Sequence, residues 1–113
     1  MNNFKNDDYY IRKVIENIDV ISLYTKGVSY DEFRQSALII DAVMFRLVQM
    51  AENIVRISAN YKEQHSNIEW TKIIGFRNKI VHDYGKTNYI LVYEVICKTI
   101  IDLKNELSLS AVK

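Results

Sequence analysis

The stretch SYDEFRQSALIIDAVMFRLVQMAENIVRIS, residues 29–58, decides the fold. Within it Phe33, Ala37, Ile40, Met44, Leu47, Ala51, Ile54 and Ser58 recur at steps of three and four. That is the period of an α-helix with one buried face, and the seam is regular enough to resemble a heptad pattern. At its head, Ser29-Tyr30-Asp31-Glu32 is a capping box: the serine caps a backbone N–H while Glu32 reaches back. The spacing predicts one helix running to about Asn60, roughly 45 Å long and long enough to bend.

Working outward, three more helical segments are expected. Segment one spans about residues 7–26, with Ile11, Val14, Ile15, Ile18 and Ile21 on one face. Gly27 is its natural stop, since glycine adopts a left-handed cap without a Cβ penalty. Segment three opens at a second capping box, Ser66-Asn67-Ile68-Glu69. Its apolar face is Trp70, Ile73, Ile74, Ile80 and Val81, and it ends around Tyr84, before Gly85. Segment four runs from about Asn88 to Leu107 on a stripe of Val92, Tyr93, Ile96, Ile100 and Leu103. The links at Gly27–Val28, Tyr61–His65 and Gly85–Thr87 are short, which makes consecutive helices antiparallel neighbours. The expectation is an all-α, up-and-down antiparallel four-helix bundle forming a single domain over 1–113, with ends fraying at about 1–5 and 109–113.

Composition agrees. The chain has 113 residues, no proline and three glycines, and 49% of it is hydrophobic. Avoiding both breakers so thoroughly fits an all-helical chain. A domain this short often gains stability by oligomerising. The formal charge is +1, from 15 basic and 14 acidic residues, so the sequence-wide basicity of a non-specific nucleic-acid binder is missing. Any such contact must come from a local patch, and Lys72, Arg77, Lys79 and Lys86, set against the single Asp83, supply one. Cys97 is the only cysteine, which excludes an intrachain disulfide, and in its apolar surroundings it is expected to be buried. Met1 to Asp8 is polar and unlike a signal peptide, and no apolar run approaches the roughly 20 residues of a membrane span. The expected location is the cytoplasm.

The chemistry is concentrated in Arg77-Asn78-Lys79-Ile80-Val81-His82-Asp83-Tyr84. Asn78 and His82, four apart, share a helical face, as do Arg77 and Tyr84, seven apart. Arg77 and His82 lie roughly 140° apart on an ideal helix, so one straight helix does not aim both at one point. The helix distorts before His82, or the Arg77 side chain bends round, or two copies of the motif complete one site across a dimer axis. Arg77 also shares the apolar stripe of Trp70, Ile74 and Val81, where an unpaired guanidinium is costly to bury. Glu52, in the polar row Gln49, Glu52, Arg56, is a plausible carboxylate partner. A structural ion pair and a ligand-binding guanidinium are both compatible with that spacing. His82 can act as general base and then general acid near physiological pH, or sit at a helix C-terminus facing the dipole. His65, in a polar link, reads as solvated, and the tyrosines Tyr9, Tyr10, Tyr24, Tyr30, Tyr61, Tyr89 and Tyr93 read as packing residues with wet hydroxyls. With two histidines and no ligand cluster at metal spacing, neither a metal site nor another cofactor is expected.

Trp70 seven residues before Arg77, the Arg77-Asn78 pair, His82 and Tyr84 together resemble the signature of HEPN-domain proteins, most closely the HepT-like toxins paired with MNT nucleotidyltransferase antitoxins. The stretch from Asp41 through Arg46, Gln49 and Glu52 to Ser58 is similar to the family's second helix, and the likeness covers about residues 5–107. It implies a helical homodimer with two Arg–His motifs lining a shared cleft. It implies a metal-independent endoribonuclease in which Arg77 and His82 are catalytic, with Asn78, Tyr84 and Glu52 in support. It also implies that the antitoxin transfers AMP to Tyr84. One departure is that Gly85, Lys86, Thr87 and Asn88 follow Tyr84, where family members often carry a Phe and then an Asp. The competing readings are a non-catalytic, nucleotide- or phosphate-binding partner of a nucleotidyltransferase, and a purely structural helical dimer.

Overall fold

The computed structural model describes residues 6–82 and 88–111, and for 80–82, 110 and 111 the backbone alone. Among the described residues the order is α1 (Asp7–Thr25), α2 (Tyr30–Gln35), α3 (Ala37–Arg56), α4 (Ala59–Gln64), α5 (Trp70–His82), α6 (Tyr89–Glu94), a π turn (Val95–Thr99) and α7 (Ile100–Ala111). The all-α expectation holds.

Cross-links between helices give the topology. Asp7, at the start of α1, bonds to Ser58 just beyond the end of α3, and Asn17 in mid-α1 bonds to Arg46 in mid-α3. α1 and α3 are therefore antiparallel. Tyr61, in α4 just past the end of α3, meets Trp70 while Glu52 meets Arg77, so α3 and α5 are antiparallel as well. Tyr93 reaches back to Val28 and Lys104 to Asp19, which runs the last helical segment antiparallel to α1. This is the up-and-down bundle expected from the short links.

The long second segment is a correction, because the chain breaks at Ser36. There the backbone is extended (φ −110°, ψ 97°), its N–H donates to the Phe33 carbonyl, and its hydroxyl accepts from the Ile39 N–H. One serine thus ends α2 and caps α3, satisfying terminal groups on both sides. The kink turns α2 so that Phe33 is fully buried beneath it. The Ser29–Glu32 capping box forms as read, with both reciprocal bonds present. Those bonds, first the Ser29 backbone N–H, hold the Glu32 carboxyl below its usual range. Gly27 has φ +72° and follows the end of α1.

α5 starts later than expected, at Trp70. The His65 carbonyl accepts both the Ile68 N–H and the Trp70 indole N–H, which holds residues 65–68 in a turn past Ser66. In the last segment the apolar stripe steps by four twice, Val92 to Ile96 to Ile100. Two such steps drift off one face of an α-helix, and the π turn, wider by about one residue per turn, absorbs the drift. All three side chains stay buried.

The seam of α3 supplies the centre of the core, with Met44, Leu47 and Ile54 in one buried cluster with Val14, Ile18 and Ile21 of α1. One edge of the bundle is open. α5 packs on α3, but between α5 and the last segment lies a groove of about 930 Å³ floored by Met50, Ile73, Phe76, Val95, Ile100 and Leu103. A bond from Asn67 to Glu106 (2.8 Å) ties its two walls together.

Candidate functional site

Arg77 lies on the flank of α5 that meets α3. Trp70 and Ile73 are buried on the same side and seat the helix. One guanidinium nitrogen, Nη2, is 2.9 Å from Glu52 Oε1. The other, Nη1, donates to Asn78 Oδ1 at 2.9 Å. The third, Nε, is buried and has no partner among the described residues. The Arg77 side chain is 25% exposed and that of Glu52 37%, so the pair sits at the edge of the core with one side open to water. An ion pair half in water contributes modestly to stability. Its geometric effect is larger, since a planar guanidinium gripped from two directions has little freedom left.

The structure thus brings together Arg77, Glu52 and Asn78, as the spacing suggested for the first two. Asn78, four residues before His82 on the same helix, turns its side-chain oxygen to Arg77. His82 closes α5, five residues and about 7.5 Å along the axis from Arg77. Its side chain and the whole of Tyr84 lie outside the described residues. The cationic patch is partly neutralised at one end, where Lys72 pairs with Glu69 at 3.2 Å. Lys79 is exposed. Among the described residues no group of His, Cys, Asp and Glu gathers so as to hold a metal ion, and no helix is long and apolar enough to cross a membrane.

Several residues differ from their expected settings. His65 is half-buried, stacked on Tyr61 with ring centroids 4.0 Å apart, its Nδ1 2.9 Å from the Tyr61 carbonyl. Helix α4 creates this setting where a plain polar link was expected, and His65 works there as a structural joint under Trp70. Beside it, burial lowers the Lys62 ammonium's pKa below its usual value, opposed by the charge of Asp7. The Tyr93 hydroxyl is not wet, since it donates to the Val28 carbonyl at 2.7 Å. Cys97 is exposed, because the π turn keeps Val95 and Ile96 inward and leaves the thiol outside.

What the arrangement can do chemically follows from the guanidinium. It is a positive, planar fork at the protein surface, held beside a helix that ends on an imidazole. Such a fork matches the oxygens of a phosphate. The Asn78 amide N–H2 remains a donor for the same anion or for a neighbouring ring.

Comparisons with known proteins converge. Residues 14–109 match the family described as ribonuclease HepT-like. A candidate RNase of Caldanaerobacter subterraneus subsp. tengcongensis is 26% identical over 86% of this chain and 87% of its own. A protein of Methanocaldococcus jannaschii named as a gamma-glutamylcyclotransferase and candidate RNase is 30% identical over 87% of this chain and 44% of its own. A candidate ribonuclease HepT of Thermococcus cleftensis is 23% identical over 86% of this chain and 88% of its own. No solved structure gives a significant match.

Proposed function

The chain belongs to the ribonuclease HepT-like family, and from that premise we propose that it is a metal-independent endoribonuclease working as a homodimer. The observation that carries the reading is the Arg77 guanidinium, half-buried, gripped by Glu52 and Asn78, and placed one helical stretch before His82. RNA brings its own nucleophile, the 2′-hydroxyl. One His82 takes the proton of that hydroxyl as its oxygen attacks the adjacent phosphorus. The P–O5′ bond breaks, and a protonated imidazole, that of the second subunit's His82, gives its proton to the departing 5′-oxygen. The products are a 2′,3′-cyclic phosphate and a free 5′-hydroxyl. Arg77 balances the extra negative charge on phosphorus in the transition state, and Asn78 orients the phosphate. Two copies resolve the angular separation of Arg77 and His82 on one helix.

The test is cleavage of total cellular RNA in the presence of a chelator. Wild-type protein cuts it, and folded His82→Ala does not. Cleavage that needs added metal, or that survives in His82→Ala, overturns the reading.

In this proposal the protein is the toxin of a toxin–antitoxin pair, acting in the cytoplasm, and an MNT-type nucleotidyltransferase silences it by attaching AMP to Tyr84. The added phosphate brings negative charge to the same motif as Arg77, seven residues on in sequence, and repels RNA. Tyr84→Phe is expected to remain toxic when co-expressed with that partner, scored as colony formation. Full rescue of the Phe variant by the partner would sink this route.

A second reading has an observation in its favour. Glu52 cancels the charge of Arg77, and the chain as a whole is nearly neutral. That suits a non-catalytic partner subunit that holds a nucleotide phosphate without cutting RNA. Absence of cleavage by clean, folded, unmodified dimers would favour it.

A further inference from the structure

We propose that Glu52 is a latch on Arg77: it occupies the guanidinium in the free protein, and a phosphodiester must displace it to bind. The inference rests on the reading above only in taking RNA phosphate as the ligand.

Three observations carry it. First, the grip is incomplete. A strong Arg–carboxylate pair is bidentate, yet Glu52 pairs with Nη2, and Nε is buried with no acceptor among the described residues. An unsatisfied buried donor makes the resting arrangement less favourable than the fork can achieve. A phosphate offers two oxygens to the Nε–Nη2 edge and so supplies what Glu52 does not. Second, release is cheap on the carboxylate side. The Glu52 side chain is 37% exposed, and water re-solvates it when Arg77 lets go. Third, the guanidinium keeps a second tether through the latch's opening. Nη1 holds Asn78 Oδ1 on the same helix, one residue along, so a swing away from α3 need not scatter the motif.

The consequence is a site whose charge is cancelled until substrate arrives. RNA gains Arg77 only where it also gains other contacts, so loosely held polyanions are discriminated against.

The experiment measures binding of a fluorescein-labelled 2′-O-methyl RNA, which lacks the attacking hydroxyl, by anisotropy. Glu52→Gln is expected to bind about tenfold tighter than wild type, or 1.4 kcal/mol by the thermal constant. Glu106→Gln removes the same charge away from Arg77 and is expected to change affinity less than about twofold, by screening of exposed charges. Arg77→Ala/Glu52→Gln is expected to show no gain over Arg77→Ala. Thermal unfolding of each variant checks that it is folded, and Glu52→Asp, a shorter carboxylate, offers a second route if the glutamine variant is not. Equal or weaker binding by folded Glu52→Gln overturns the latch and makes Glu52 a plain orienting partner. So does an equal gain from Glu106→Gln, or no binding by any variant. Because the probe cannot be cut, a wild-type protein lacking nuclease activity would refute the enzyme while leaving this result standing on its own.

Discussion

Arg77→Ala slows RNA cleavage by about a thousandfold or more, the scale on which removing a guanidinium from a transferring phosphoryl group is felt. Arg77 is the cation that the fold sets in place, at rest by Glu52 at 2.9 Å and, once that latch opens, by Asn78 at 2.9 Å. Lys72 is answered by Glu69 and swings on a side chain 77% exposed, so it cannot stand in. Arg77→Lys recovers only part of the rate, because an ammonium keeps the charge and loses the fork. Stability changes little in either variant, since the pair lost is half in water. Single-turnover cleavage rates measured beside thermal unfolding curves separate the two effects. A folded Arg77→Ala within about tenfold of wild type would remove the guanidinium from the chemistry, a loss too small for a lost transition-state contact.

The largest effect on folding is expected at Leu47. It is 1% exposed at the middle of α3, where the seam meets α1. Leu47→Ala loses transfer energy and leaves a cavity, for a cost of about 2–5 kcal/mol. In a domain of this length that is a large share of a total stability of roughly 5–15 kcal/mol. Leu38, on the same helix and chemically identical, is 81% exposed. Leu38→Ala should stay within about 0.5 kcal/mol of wild type, as surface changes do. Urea unfolding midpoints at constant slope provide the comparison. A difference between the two variants of less than about 1 kcal/mol would mean that the seam is not the centre of the core.

Periodicity made most of this architecture legible before any coordinates. Ile40, Met44, Leu47, Ala51 and Ile54 are buried as their spacing required, and so are Ile11, Val14, Ile18 and Ile21. Glu52 was legible as Arg77's partner because a charge on an apolar stripe needs one. Interruptions were harder to read. Ser36 breaks a seam whose apolar rhythm runs through it, since the rhythm records which residues face inward and says nothing of the backbone angle between them. The π turn was hidden for a related reason: steps of four fit a drifting α-helix and a widened turn equally well. Cys97 and His65 depart from their expected settings for the same kind of reason, one turned outward by the π turn and the other drawn under Trp70 by α4. In the proposed dimer the placement of His82 relative to Arg77 would depend on two helices from two chains, and one chain's sequence carries only half of it.

The open edge of the bundle bears on time as well as space. α1 and α3 are clasped on several sides, whereas α5 rests on α3 and faces a groove of about 930 Å³ on its other flank. Detaching α5 therefore exposes less apolar surface than unfolding the whole molecule, and its amide protons become exchangeable through a local excursion well below the global barrier. The order of the segment that carries Arg77 and His82 thus depends on what lies against it. Anything that fills the groove, or bridges α5 to the last helix beyond the Asn67–Glu106 tie, would lengthen the lifetime of an aligned motif without touching a reacting atom.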